Sequence, residues 1–385
     1  MSSRFRGAAT RTGAVNRVLA ALLLLALSPG SALSESGFQT VSGPCRFQFP
    51  EDHAAHPDFK TEWWYYTGNL KTAEGRRFGY QLTFFRSQTA PSGAKRRWPD
   101  PASGWRTLQI YLAHLAVSDI RGETHRQAET MARGALDMAG VDRRGETVRV
   151  FLRDWSAELG PEVHTLRAET PEMGLALDLA PLKPPVPHGE DGYDRKGQGP
   201  ESASCYYSLT RLRTTGRMRV GDAAFSVSGL SWMDHEYSTA PLEPGIAGWD
   251  WFSLQLDDGT ELMAYFLRES DGGFSPASSA TFVDREGEGT PIGFSGIRLE
   301  TTAIWKSPDT GAAYPAGWIL SVPALALTLS VSPALADQEM ETPLTTDVAY
   351  WEGAVAVEGT SGDRPVGGRG YVELTGYDRA FDAEM

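Results

Sequence analysis

The sequence predicts a mainly β protein made of two antiparallel β-barrel domains related by internal duplication, on three observations. Apolar residues alternate with a period of two over short runs, as in Thr147-Val-Arg-Val-Phe-Leu152 and Trp318-Ile-Leu-Ser-Val322. The 41 Gly and 24 Pro are spread along the 385 residues, so turns punctuate the whole chain instead of forming one linker. The chain also repeats itself, and such self-similarity decides architecture.

The repeat is clearest in two aromatic clusters, Glu62-Trp-Trp-Tyr-Tyr-Thr-Gly-Asn-Leu70 and Gly248-Trp-Asp-Trp-Phe-Ser-Leu-Gln-Leu256. Each runs into a turn, at Glu74-Gly75 and at Asp258-Gly259, and then into a second apolar strand, Phe78 to Arg86 and Leu262 to Arg268. A third strand and turn follow in both copies, where Asp119 matches Asp284 and Gly122 matches Gly287. The copies imply one domain over 45–240 and a second over 241–385. Strands of this length without intervening helices argue for barrels or sandwiches, and closure removes exposed strand edges. Two segments depart from the pattern. The stretch Glu123 to Leu136, with Ala, Met and charges but no Pro, reads as a short helix. The stretch Leu182 to Gly197, rich in Pro, Gly and charge, reads either as a lid over a barrel mouth or as a solvated excursion.

Residues 1–34 have the layout of a signal peptide: Arg4, Arg6, Arg11 and Arg17, then the apolar run Val18 to Leu27, then small residues at Gly30, Ser31, Ala32 and Ser34. The apolar run is shorter than the ~20 residues of a membrane-spanning helix. A secreted protein, periplasmic or extracellular, with no transmembrane segment in the mature chain is therefore expected. Removing the four arginines changes the formal charge from −13 to about −17, which excludes nucleic acid as a partner and disfavours an anionic membrane surface. The two cysteines, Cys45 and Cys205, either pair or stay as separate buried thiols.

Familiar nucleophile, phosphate-loop and zinc-protease signatures are missing from the sequence, and His53-x-x-His56 reads as a loop rather than a metal site. The candidates are instead aromatic–carboxylate clusters. In Thr61-Glu-Trp-Trp-Tyr-Tyr66, a strand places Glu62, Trp64 and Tyr66 on one face and Trp63 and Tyr65 on the other. Aromatic walls desolvate a carboxyl and favour its protonated form, so Glu62 is either an acid or a cap within an aromatic plug. In Ser231-Trp-Met-Asp-His-Glu-Tyr237, Trp232, Asp234 and Glu236 share a face, with His235 and Tyr237 opposite. Ionisable residues so placed are either used or simply solvated at a strand end. Trp249-Asp250-Trp251 and Trp351-Glu352 set further acids beside indoles, and His114 is a lone imidazole on an apolar strand.

These motifs, together with Ser204-Cys-Tyr-Tyr-Ser208 and Trp351-Glu-Gly353, resemble the carotenoid 1,2-hydratase-like family, whose exported members are described as lipocalin-like AttH proteins or predicted secreted hydrolases. The resemblance spans nearly the whole mature chain. It implies two lipocalin-like β-barrels, no cofactor, and water addition to a C=C bond of an isoprenoid or other apolar substrate where the barrels meet. On that reading Asp234 is the acid, raised in pKa by Trp232 and Glu236, and His114 or His235 orients water. Trp249, Trp251, Tyr65 and Tyr66 line the path of the cation, and Trp63, Trp64, Trp232, Tyr237, Asp250 and Trp351 complete the expected substrate contacts. The resemblance equally implies an alternative, a non-catalytic periplasmic carrier of a hydrophobic small molecule linked to an ABC transporter.

Overall fold

Alternation of side chains builds a strand from Thr61 onward, and each following turn sends the chain back antiparallel. The computed structural model describes residues 37–199, 202–239 and 242–380; the expected leader, 1–34, lies outside them. A 13-stranded sheet takes β1 (Thr61–Lys71), β2 (Arg77–Gln88), β3 (Gln109–Asp119), β4 (Thr124–Arg133), β5 (Ala139–Arg144), β6 (Thr147–Leu152), β7 (Trp155–Leu159), β8 (His164–Glu169), β9 (Met173–Pro181), β10 (Val186–Pro187), β11 (Tyr193–Arg195), β12 (Ala203–Val220) and β13 (Ala223–Ser238). A 10-stranded sheet takes β14 (Ile246–Leu256), β15 (Glu261–Glu269), β16 (Ser279–Val283), β17 (Gly289–Gly293), β18 (Arg298–Lys306), β19 (Ala313–Val322), β20 (Leu327–Pro333), β21 (Glu339–Glu341), β22 (Ala349–Ser361) and β23 (Arg364–Leu374).

Both sheets follow one pairing plan. The first runs β4-β3-β2-β1-β13-β12-β9-β8-β7-β6-β5 and the second β17-β16-β15-β14-β23-β22-β20-β19-β18. The first curls until β4 approaches β6, giving a nearly closed barrel, and the second forms a curled half-barrel. The duplicated aromatic hairpins are β1–β2 and β14–β15, turned at Gly75 and Gly259, whose φ values of +83° and +90° suit glycine.

Each barrel has its own interior. Trp64, Tyr66, Tyr80, Leu82 and Phe84 fill the first, and Phe252, Leu254, Trp318, Leu320 and Trp351 the second. The opposite faces of the same strands also bury aromatics: Tyr65, Tyr206, Trp232, Trp251, Tyr265 and Tyr371 pack together in the seam where the sheets meet. Gly79 belongs to this seam, because a Cβ there would lie 2.7 Å from the Ala354 Cβ. Polar contacts cross it as well: the Asn69 amide donates to the Gly370 carbonyl at 2.9 Å, and the Gln255 amide to the Thr210 and Ser231 carbonyls at 2.7 and 2.9 Å.

Two expectations are corrected. The 123–136 stretch is not helical: Thr124–Arg133 pairs with β3 along its length, and this pairing outweighs the helix propensity of its Ala, Met and Glu residues. The 182–197 stretch is no solvated excursion, because β10 and β11 pair with β12 while Lys183 donates to Glu261 at 2.6 Å and His188 bonds Thr281 at 2.9 Å. It straps one sheet to the other. Cys45 and Cys205 form a disulfide with a Cα–Cα distance of 5.8 Å, fastening the segment before β1 to β12.

Candidate functional site

Strand register places the site. Across the seam face of the first sheet, one row reads His114–Thr83–Tyr65–Asp234–Ser208 and the next Leu112–Phe85–Trp63–Glu236–Tyr206. The facing row of the second sheet reads Glu352–Glu373–Trp251–Tyr265. Between them lies a cavity of about 260 Å³, walled chiefly by apolar carbon, on whose lining these rows place four carboxyls: Asp234, Glu236, Glu352 and Glu373. It also touches His114, Glu62, Trp63, Tyr65, Trp249 and Trp251 among the residues expected from the sequence. Five strands at ~4.8 Å spacing make this floor roughly 19 Å from His114 to Ser208.

The four carboxyls have different partners. Asp234 accepts from the Tyr206 hydroxyl at 2.6 Å, from the Trp232 indole at 2.5 Å and from Ser208. Tyr206 receives the Trp251 indole N–H at 3.0 Å, so its own proton points to Asp234. Burial pushes Asp234 up to about 7 against these three donors. Glu236 lies 3.4 Å from Lys196, and burial still raises it. Glu352 accepts from the Tyr65 hydroxyl; burial, then the charge of Glu373 across the β22–β23 pair, holds it well above the usual range. Glu373, partly open to the cavity, accepts from Trp249 at 3.3 Å and is pushed up to about 7 by burial. Neither Glu352 nor Glu373 is paired with a cation among the described residues. His114 shares hydrogen bonds of 2.8 Å with Tyr350 and with Thr345, and burial lowers it to about 3, so it stays neutral.

The opposite face of the same strands holds a second cluster. Glu62 accepts from Arg86 at 2.8 Å and bonds His235 at 2.8 Å and His56 at 2.7 Å. Burial would raise Glu62, but these partners hold it well below the usual carboxylate range. His56, burial notwithstanding, is raised to about 9 by its bonds to Asp52 and Glu62. The expectation of a protonated Glu62 is thus overturned by a guanidinium and an imidazolium. His235 faces this cluster, not the cavity, and its other ring nitrogen bonds Tyr207 at 2.9 Å. Tyr237 stacks on His56 with centroids 3.6 Å apart. The ligand-capable atoms of His56, Glu62 and His235 lie within 4.8 Å of one another, yet Arg86 on the same carboxylate would repel a cation.

Four other expected contacts also point away from the cavity. Trp64 and Tyr66 fill the first barrel, Trp351 the second, and Asp250 turns inward to Arg268 at 3.0 Å and Tyr377 at 2.9 Å. Alternation requires this, since Asp250 cannot share a face with Trp249 and Trp251. Trp232 is off the lining but reaches the site through its bond to Asp234.

The model of the AttH-like family matches residues 40–377. The chain belongs to the AttH-like family. Among solved structures, this AttH-like chain is similar to a putative AttH from Nitrosomonas europaea, with 33% identity, 88% of this chain and 99% of that chain covered, and a TM-score of 0.77. It shares its fold with kievitone hydratase from Nectria haematococca at 13% identity, 89% and 96% coverage, and a TM-score of 0.62. No protein of curated function matches it significantly.

Sequence reasoning named Glu352 of this AttH-like protein only as a further acid beside an indole, and gave no role to Glu373, Tyr206 or Lys196. Glu352 had a local signal, its place beside Trp351. Glu373 sits in Tyr-Val-Glu-Leu, and only its pairing with Glu352 across two strands marks it.

Proposed function

We propose that this AttH-like protein is a hydro-lyase that adds water across a C=C bond of an apolar substrate held in the seam cavity. One observation carries the reading: buried Glu352 and half-buried Glu373 lie opposite each other on the cavity, paired with no cation among the described residues. Like-charged neighbours in low dielectric cannot both ionise, so one holds a proton at neutral pH. That proton adds to the alkene and leaves a carbocation, whose charge the faces of Trp63, Tyr65, Trp249 and Trp251 stabilise. Water then attacks, and the carboxylate left by the first step takes the proton the water releases.

Asp234 fits the acid role less well. Trp232 can only donate, and Tyr206 is committed to donating, so two of its three contacts favour the ionised form. It acts instead as an acceptor that holds Tyr206 and Trp232 in place. A cavity of about 260 Å³ suits a small alkene or the end of a longer chain rather than a whole long polyene. The hydratase that shares the fold supports the same reaction class. The leader-like N-terminus and the disulfide support export to an oxidising compartment.

The test is incubation with small branched alkenes such as β-myrcene in isotope-labelled water, followed by mass spectrometry. The expected product has gained one labelled water, and Glu352→Gln abolishes the gain. Tight binding without conversion across a panel of such alkenes would make the protein a carrier.

A further inference from the structure

The end of the cavity under the strap is unlike the rest. Lys196 lines it, bonding Asp194 at 2.5 Å and Glu236 at 3.4 Å, with Tyr265 and Tyr206 rings 3.9 and 5.0 Å from its ammonium. Beside it Ser204 is 1% exposed and lines the same cavity. Its hydroxyl lies close enough to Glu236 to lower that carboxyl, yet has no partner at hydrogen-bonding geometry among the described residues. Register extends the polarity along one edge of the floor, where Ser204, Ser238, Thr61 and Ser87 form a row of four hydroxyls on neighbouring strands, all on the lining. A buried hydroxyl without a partner is costly, and a ligand atom that meets it recovers the loss.

We propose that this end is a subsite for a neutral oxygen-bearing group, a hydroxyl or carbonyl, of the same molecule whose apolar part lies against the tryptophans. Charge selects neutral over anionic. Asp194 and Glu236 outnumber Lys196, so a ligand carboxylate would meet net negative charge, whereas a neutral oxygen accepts from Ser204 and from the ammonium N–H that its two acids leave over. The strap thereby takes part in the cavity itself, because it delivers an ammonium to the lining at this end. The inference rests on the proposed function only in taking the cavity as a ligand site, and not on the hydration step.

The experiment uses three probes with one branched skeleton: geraniol, geranic acid and β-myrcene. Each is titrated into the full chain at neutral pH, read by tryptophan fluorescence. Geraniol is expected to bind about tenfold tighter than either of the others, the worth of one well-made hydrogen bond. Ser204→Ala is expected to remove most of that advantage and to leave β-myrcene affinity within about twofold. Equal affinities for the alcohol and the hydrocarbon, a preference for the acid, or failure of all three to bind would overturn the subsite. The two readings separate cleanly. Selective geraniol binding with no water added to any probe keeps the subsite and removes the hydratase, and hydration without alcohol preference does the reverse. The wild-type comparison alone decides the matter if Ser204→Ala does not fold.

Discussion

Glu62 and Glu352 are each 1% exposed, each set beside a tryptophan in sequence, and yet in opposite states. Glu62 meets Arg86, His56 and His235, and those partners outweigh burial and keep its charge. Glu352 meets a neutral phenol and another carboxyl, so burial keeps its proton. Glu62 belongs to β1 of the first sheet and Glu352 to β22 of the second, and although both touch the cavity only Glu62 is held by cations. Burial alone therefore does not decide a carboxyl's chemistry; the sign of its neighbours does.

The largest expected effect breaks the charged cluster. Arg86→Met leaves an ionised Glu62 buried without its guanidinium, and the unfolding free energy should fall by about 3–5 kcal/mol in a denaturant titration. Glu352→Gln, which replaces a neutral acid by a neutral amide, should cost no more than about 1 kcal/mol in the same titration. Comparable losses in both would erase the distinction. On turnover the order reverses. Glu352→Gln should lower the rate of water addition by at least about 100-fold, the scale of a lost general acid, with the fold intact by circular dichroism.

How far this contrast was readable in the sequence depends on the residue. Alternation separated Trp63 and Tyr65 from Glu62, Trp64 and Tyr66, and Asp234 and Glu236 from His235 and Tyr237. The duplicated hairpins were legible because glycine turns and aromatic strands recur in order. Which face met the partner sheet was not legible, since β1, β13 and β14 carry aromatics on both faces. Nor were the partners of Glu62, because Arg86 and His56 reach it through pairing of β1 with β2 and through a loop. Asp250 was within reach of the same alternation rule that was applied to Glu62, yet its flanking tryptophans suggested a shared face that a strand forbids.

pH should separate the two clusters further. Glu352 and Glu373 have folded pKa values above their unfolded ones, so they favour folding at low pH; the Glu373 contribution is lost as pH rises from about 4.5 through about 7, and the Glu352 contribution falls from about 4.5 upward. Glu62 is depressed, so its contribution is present above about 4.5 and is lost as pH falls below it. His56, raised to about 9, adds stability that is full below 6.5 and lost as pH rises through 9. Unfolding free energy measured across this range should lose slope between 4.5 and 7 in Glu352→Gln, and lose its acid limb in Glu62→Gln. Glu373 ionises first, through about 7, and turnover should fall at higher pH, where Glu352 gives up the proton it holds.

The smallest effect concerns Asp234, which stands between the two extremes: buried like both, but surrounded by neutral donors. Trp251→Phe removes the indole N–H that fixes the Tyr206 hydroxyl and should cost about 1 kcal/mol of stability. Freed of that donor, Tyr206 can turn its lone pair toward Asp234 and accept a proton from it. The Asp234 carboxyl should then titrate above its present value of about 7, observable by infrared difference spectroscopy of the carboxyl stretch. An unchanged titration would mean that the Trp232 and Ser208 contacts alone set the state of Asp234. The orientation of Tyr206 would then have no part in distinguishing it from Glu352.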